Sequence, residues 1–206
     1  VDMYTEILPE FMKYHPHFSV RLYERNVAQQ HQMILSDHLD LGFVLLQEKD
    51  RIDANYLSIC HEEMLLAIPR SHSLASLAAP PGQPLTYISL ALFKNEMFSL
   101  LFKGSTMRSI IDQQFLEAGF EPDILFETSM NAVLQKMVAR GLCCAIFPQS
   151  YAHSTNEMAC FRLEGNPGWD WCLVYPKGIR PGSACTDLIH LAQKYGHEKQ
   201  LQFMNI

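Results

Sequence analysis

Apolar residues fall into short runs and stripes separated by polar turns, and the spacing within each predicts an element. From about Tyr4 to Tyr14 it is helical, with Phe11 and Met12 turned inward and Pro9 near the first turn or at a kink. Phe18 to Tyr23 alternates apolar and polar as a half-buried strand does, and the turn Glu24-Arg25-Asn26 opens a second helix through about Ser36. The apolar strand Leu41 to Leu46 follows, and together these predict a first lobe with a parallel sheet. Tyr56 to Ile68 holds two strand-like runs, the second of them a crossing to another lobe. Ala78 to Pro84, with Pro80-Pro81-Gly82 inside it, reads as a loop.

The second lobe repeats the alternation of strand, turn and helix. Met97 to Phe102 is a strand and Lys103-Gly104-Ser105-Thr106 a polar turn. The helix that follows carries Met107, Ile110, Ile111, Phe115 and Ala118 on one face and is closed by Gly119. Next, the strand Ile124-Leu125-Phe126 ends at Thr128-Ser129, a pair able to cap the helix that carries Val133, Leu134, Met137 and Val138. Gly141 stops that helix, Leu142 to Phe147 reads as a parallel strand covered on both faces, and Pro148 ends it. Trp171 to Tyr175 is the second crossing. A final helix begins at Pro181-Gly182-Ser183, with Ala184, Leu188, Leu191, Ala192 and Tyr195 inward, and returns to the first lobe. The fold class is α/β, with two Rossmann-like lobes and a cleft between them; residues 1–68 plus 175–206 form the first lobe and 69–174 the second.

Composition narrows the function. The 206 residues are 48% hydrophobic and 18% charged, which excludes a disordered chain, and the net charge of −6 without a Lys/Arg stripe excludes a phosphate-backbone footprint. No apolar run approaches the ~18 residues that span a bilayer, and the first residues lack a signal-peptide pattern, so the chain reads as cytoplasmic unless a leader has been removed. Six cysteines, without a Cys-x-x-Cys pair or a zinc spacing, read as small buried hydrophobes in a reducing compartment. Nine histidines show no metal-ligand spacing, and there is no Gly-x-Ser-x-Gly elbow, P-loop or dinucleotide fingerprint. No catalytic residue, metal or cofactor is therefore assigned.

Parallel sheets bind ligands beyond the carboxyl ends of their strands, which singles out Glu24-Arg25-Asn26, Gln47, Lys103-Gly104-Ser105-Thr106 and Thr128-Ser129. Helix N-termini flanked by hydroxyls present free N–H groups that suit a carboxylate, phosphate or sulfate. Arg25 and Lys103 beside two such termini favour an anionic metabolite, and Arg108 either adds to that charge or points to solvent. Ser105, Thr106, Thr128 and Ser129 also read simply as helix caps, a role compatible with ligand contact. Pro148 is read as a wall of the site.

Several motifs carry a family resemblance. They are Glu127-Thr128-Ser129-Met130-Asn131 running through Met137 to Pro148; Ile7-Leu8-Pro9-Glu10-Phe11 followed by Tyr14-His15-Pro16; Leu39-Asp40-Leu41-Gly42-Phe43-Val44; and Glu63 to Pro69 with His72-Ser73-Leu74-Ala75. In order and spacing they cover nearly the whole chain, which resembles the LysR-type transcriptional regulators of bacteria. The resemblance implies a type 2 periplasmic-binding-protein-like effector domain that binds a small polar or anionic effector between its lobes. By position it assigns Arg25, Asn26, Ser105, Thr106, Thr128 and Ser129 to the pocket. It also implies a homodimer or tetramer, paired through the second helix of lobe one and the helix at about Met130 to Arg140. DNA contact is implied only through an N-terminal winged helix-turn-helix, which is expected to be absent from this chain together with the initial strand of lobe one. Two residues depart from the family pattern: Cys143 replaces a glycine and Ser73 a proline. A transporter's solute-binding protein with the same bilobal fold is the alternative.

Overall fold

Met3, Ile7 and Phe11 recur at every fourth position, so helix α1 (Asp2–Tyr14) buries one stripe. Met12 falls outside it and is exposed, contrary to the inward placement expected, and Pro9 lies inside the helix. The computed structural model describes residues 2–80, 82–152 and 157–204. Its two units are Val1–His61 with Trp169–Gln202, and Glu62–Gly168 with Phe203–Ile206. The sequence places these boundaries a few residues later on both crossing strands.

In the first unit, α2 (Val27–Leu35) precedes β1 (Gly42–Leu46), and the sheet order is β1, then β8 (Gly168–Tyr175), then the front of β2 (Asn55–Pro69). Helix α5 (Ser183–Met204) ends the described chain. β1 pairs with β8 antiparallel, from Gly42 opposite Val174 to Leu46 opposite Asp170. The parallel sheet expected here is thus corrected: residues 18–23 join no ladder among the described residues, and Phe18, Leu22 and Tyr23 are exposed. An alternating pattern shows that a strand suits a half-buried surface, but it does not supply the neighbouring edge.

The two faces of this sheet carry separate clusters. Leu173 packs with Met3, Ile7, Ile189 and Ala192 from α1 and α5, while Cys172 and Val174 pack with Ile34 of α2 and with Val44 and Leu46. Under α2, the Tyr56 hydroxyl lies 2.9 Å from His31 Nε2 and accepts from Ile52 N. Burial lowers the His31 pKa against the opposing pull of Asp50, which suits a neutral imidazole accepting the Tyr56 proton.

The second unit has the strand order β3 (Tyr87–Ile88), β7 (Met158–Leu163), β2, β6 (Cys144–Pro148), β4 (Met97–Leu101), β5 (Asp123–Thr128). β4 is parallel to β5 and β6, whereas β2 is antiparallel to β6 and β7. Every residue of β6 is buried, as its unbroken apolar run predicts. Helix α3 (Thr106–Ala118) ends at Gly119, whose φ of 78° is left-handed, and α4 (Asn131–Ala139) is followed by Gly141 at 76°. β5 is the edge strand, and Ile124, Leu125 and Phe126 are exposed along it.

β2 is one unbroken strand where two runs were expected, and β3 and β7 were not anticipated. The apolar run Ala159-Cys160-Phe161 was the available signal for β7. Pro81, in the expected loop, lies outside the described residues. All six cysteines are free and five are buried. Burial, then Glu96 and Cys143, push the Cys144 thiol up to about 12. Among the described residues no helix is long and apolar enough to cross a membrane.

Candidate functional site

In the second unit the two hydroxyl-bearing turns end neighbouring strands. Leu101 of β4 stands opposite Thr128 of β5, and Phe102 N donates to Thr128 O at 3.0 Å, so the turn after each strand starts beside the other. Gly104 takes a φ of 92° in the first turn, and Ser105 then caps α3, its Oγ accepting from Arg108 N at 3.1 Å. Thr106 is the first residue of α3. In the second turn Thr128 is buried and its Oγ1 accepts from Met130 N at 3.2 Å, while Ser129 is exposed.

The expected capping of α4 by Thr128-Ser129 is corrected. Met130 occupies the N-cap position, where its thioether makes no capping bond, and the threonine hydroxyl closes a local turn onto Met130 N instead. This leaves the first turn of α4 without a side-chain cap. Next to it, Asn131 Oδ1 is buried and has no hydrogen-bond partner. Asn131 was missed as a site residue, although its place two residues after the Thr-Ser pair, at the start of the helix, was a readable signal. Pro148 ends β6 opposite Met64 and is buried.

Arg108 takes neither of the courses read from the sequence. It is 2% exposed, with Nε 2.6 Å from Asp112 Oδ1 and Nη1 2.5 Å from Glu127 Oε1 and 2.6 Å from Leu101 O. Burial pulls its pKa down, but the bonds to Glu127 and Asp112 push it further up and the balance is upward. Its charge is committed to structure. Lys103 is exposed and forms no ion pair among the described residues, so it is the free cation of this edge.

The first unit contributes differently. Asn26 caps α2 in a reciprocal box, its Oδ1 accepting from Gln29 N at 2.9 Å and its N donating to Gln29 Oε1 at 3.3 Å. Arg25 is exposed, donates to Glu24 O at 2.7 Å and lies 5.9 Å from the Tyr23 ring centre. Gln47 follows β1 and its N donates to Asp50 Oδ2 at 3.3 Å.

Past Gln47 lies a polar group that sequence reasoning missed. Arg51 Nη2 is 3.1 Å from Ser58 Oγ and 3.7 Å from Asp170 Oδ2, and Asp170 Oδ1 is 2.8 Å from His61 Nδ1. Arg51 Nε is buried without a partner. Asp170 reaches the carboxyl end of β1 only through the β8 register, which sequence spacing does not reveal. The structure therefore brings Ser105 and Thr106 together with Thr128 and Ser129 in one unit. It gathers Arg51, Asp170 and His61 beyond Gln47 in the other, and it commits Asn26 to its own helix.

An α/β unit with polar turns after parallel strands defines a ligand-binding class, and the comparisons give that class its family. Residues 2–196 match the LysR substrate binding domain, and the chain belongs to that family. Among curated relatives, the uncharacterized HTH-type transcriptional regulator YybE of Bacillus subtilis (strain 168) is 27% identical over 167 residues, covering 81% of this chain and 53% of YybE. The chain thus spans about half the length of the curated relatives it matches. The CcmR regulatory domain of Synechocystis PCC6803, solved in complex with 2-PG, superposes with a TM-score of 0.75 at 18% identity, over 93% of this chain and 90% of that one. The BenM effector binding domain with its effector benzoate gives 0.72 at 18% identity, over 95% and 87%. These likenesses establish the fold: α/β, of the type 2 periplasmic-binding-protein-like class.

Proposed function

We propose that this chain is the effector-sensing domain of a bacterial LysR-type transcriptional regulator, cytoplasmic and without catalytic activity. It binds a small polar or anionic effector and passes a conformational change to a DNA-binding segment elsewhere in the whole protein. The observation that carries this reading is the pairing of two turns on adjacent parallel strands: Ser105 and Thr106 at one helix start, Thr128 and Ser129 at the next, with an unpartnered Asn131 Oδ1 beside them. Helix N–H groups and Lys103 favour negative charge there, and Asn131 Oδ1 asks for a donor such as a ligand hydroxyl. Benzoate, the effector of BenM, is a carboxylate of the kind such a site would hold.

Thermal-shift titration with benzoate, phosphate, sulfate and neutral alcohols tests the assignment. At least one anion or hydroxylated acid is expected to stabilise the protein. Its apparent affinity should fall roughly tenfold in Thr128→Val and in Asn131→Ala, the usual effect of losing one hydrogen bond. An equal response in wild type and both variants, or a response to apolar neutral compounds alone, contradicts the site.

We propose also that two copies pair through the α2 surface of one and the β5–α3 surface of the other. Leu35 is exposed on the first surface, and Leu116, Leu125 and Phe126 on the second, whereas Leu134 and Val138 of α4 are buried. The expected result is a dimer in sedimentation runs that becomes a monomer in Leu125→Asp without loss of folded structure. A wild-type monomer at every concentration rejects the pairing.

A further inference from the structure

His72, Glu96 and Cys144 are far apart in sequence but converge in the second unit, their ligand atoms all within 4.8 Å of one another. His72 precedes the short 3-10 turn Ser73–Leu77, Glu96 immediately precedes β4, and Cys144 opens β6 with Phe98 of β4 opposite it. The group therefore lies at the amino ends of parallel strands β4 and β6. That is about 17 Å, five residues of strand, from the hydroxyl turn that follows β4.

His72 Nε2 is 3.2 Å from Glu96 Oε1, and its ring lies against Phe93 with centres 5.7 Å apart. Cys144 is buried, and the His72 and Glu96 side chains are 12% and 42% exposed, so the donors run in a graded file from the interior to water. One imidazole, one thiol and one carboxylate make a mixed nitrogen, sulfur and oxygen set. Calcium and magnesium take oxygen alone, whereas zinc accepts all three.

We propose that His72, Glu96 and Cys144 bind one thiophilic divalent cation of the zinc class, leaving its fourth position to water. Zinc bonds of about 2.0–2.3 Å set tetrahedral ligands roughly 3.3–3.8 Å apart, so the His72–Glu96 pair at 3.2 Å already fits and the Cys144 sulfur, within 4.8 Å of both, needs to close by about 1 Å at most. The competing reading is a His72–Glu96 hydrogen bond beside a space-filling thiol. His72 Nδ1 accepts from Leu74 N at 3.1 Å, so the neutral ring carries its proton on Nε2, towards Glu96. Coordination at Nε2 moves that proton to Nδ1 and gives up the Leu74 bond. At Cys144 the S–H bond breaks, the proton leaves to solvent and a sulfur–metal bond forms; no electron is transferred. One lost hydrogen bond weakens binding about tenfold, a small factor against the affinities of structural zinc sites.

The test uses the 206-residue chain, reduced and stripped with a chelator, then titrated with Cd2+ while the thiolate-to-cadmium ultraviolet band is followed. Zn2+ affinity is read in parallel by competition with a chromophoric chelator. One equivalent is expected, with the band lost in Cys144→Ser and Zn2+ affinity reduced at least tenfold in Glu96→Gln. Glu96 is part-exposed at a strand start, so this second variant decides the matter even if Cys144→Ser fails to fold. No stoichiometric uptake, a band that survives Cys144→Ser, or unchanged Zn2+ affinity in Glu96→Gln overturns the proposal.

Discussion

Replacing Arg108 by alanine is expected to lower the free energy of unfolding by about 3 kcal/mol, measured by urea denaturation. The guanidinium is 2% exposed and meets Asp112, Glu127 and the carbonyl of Leu101. Its removal strips a charge partner from two acids, orphans the carbonyl and leaves a cavity. Breaking a buried pair from one side costs about 3–5 kcal/mol, and the low end applies because Asp112 and Glu127 are themselves 45% and 35% exposed and regain some water. Asp112→Asn serves as the control, expected to cost less than about 1 kcal/mol since that pair is half in solvent. Equal losses in the two variants would contradict this account. The effect reaches the site because Arg108, in the first turn of α3, joins the end of β4 to Glu127 near the end of β5. Its loss loosens the spacing of Ser105 and Thr128.

Gly196→Ala is expected to destabilise the chain by about 2 kcal/mol, against the trend for glycine within a helix. Helix propensity alone favours alanine by up to about 1 kcal/mol. A Cβ at Gly196, however, would stand 2.4 Å from Ile59 O and 2.9 Å from Ile59 C, atoms of β2 backbone that cannot turn aside. Overpacking of this kind typically costs 1–3 kcal/mol, about three at an unyielding backbone, and so outweighs the propensity gain. Gly182→Ala provides the contrast: a Cβ there meets nothing within 4 Å, so its midpoint should stay close to wild type in thermal unfolding. A Gly196→Ala protein more stable than wild type would show that α5 does not sit as close to β2 as described.

The elements read best from sequence are those whose signal is local. α3 and α4 carry apolar stripes at helical spacing and end at glycines with left-handed φ, and β6 is an apolar run with no polar face to place. The first unit was harder because strand pairing is not local. The alternation of Phe18 to Tyr23 suits a strand, yet β1 is paired instead by β8, about 130 residues further along, through a register that spacing cannot encode. The same limit governs the site. The hydroxyl turns were legible as turns and Ser105 as a cap. What the threonine hydroxyl does was not, because Thr128 can bond a helix start or its own turn and the sequence is the same for both. Arg108 to Asp112 is an i,i+4 pair visible in the sequence, but the bond to Glu127, and with it the loss of Arg108 as a ligand cation, depends on where β5 lies. His72, Glu96 and Cys144 show no motif at all, since a strand start, a turn and a second strand bring them together.

The edge strand β5 bears on how the protein behaves when crowded. A strand with an open edge and exposed Ile124, Leu125 and Phe126 is the kind of surface that seeds open-ended stacking of chains. Its only charged residues, Asp123 and Glu127, are both acidic and lie near its two ends. Two copies meeting edge to edge set acid against acid in either orientation, with Glu127 partly offset by Arg108, so the strand resists pairing with its own kind. An uncharged surface such as α2, Val-Ala-Gln-Gln-His-Gln-Met-Ile-Leu, meets no such barrier. The two carboxylates thus act as gatekeepers, letting β5 stay apolar while discouraging fibrous growth.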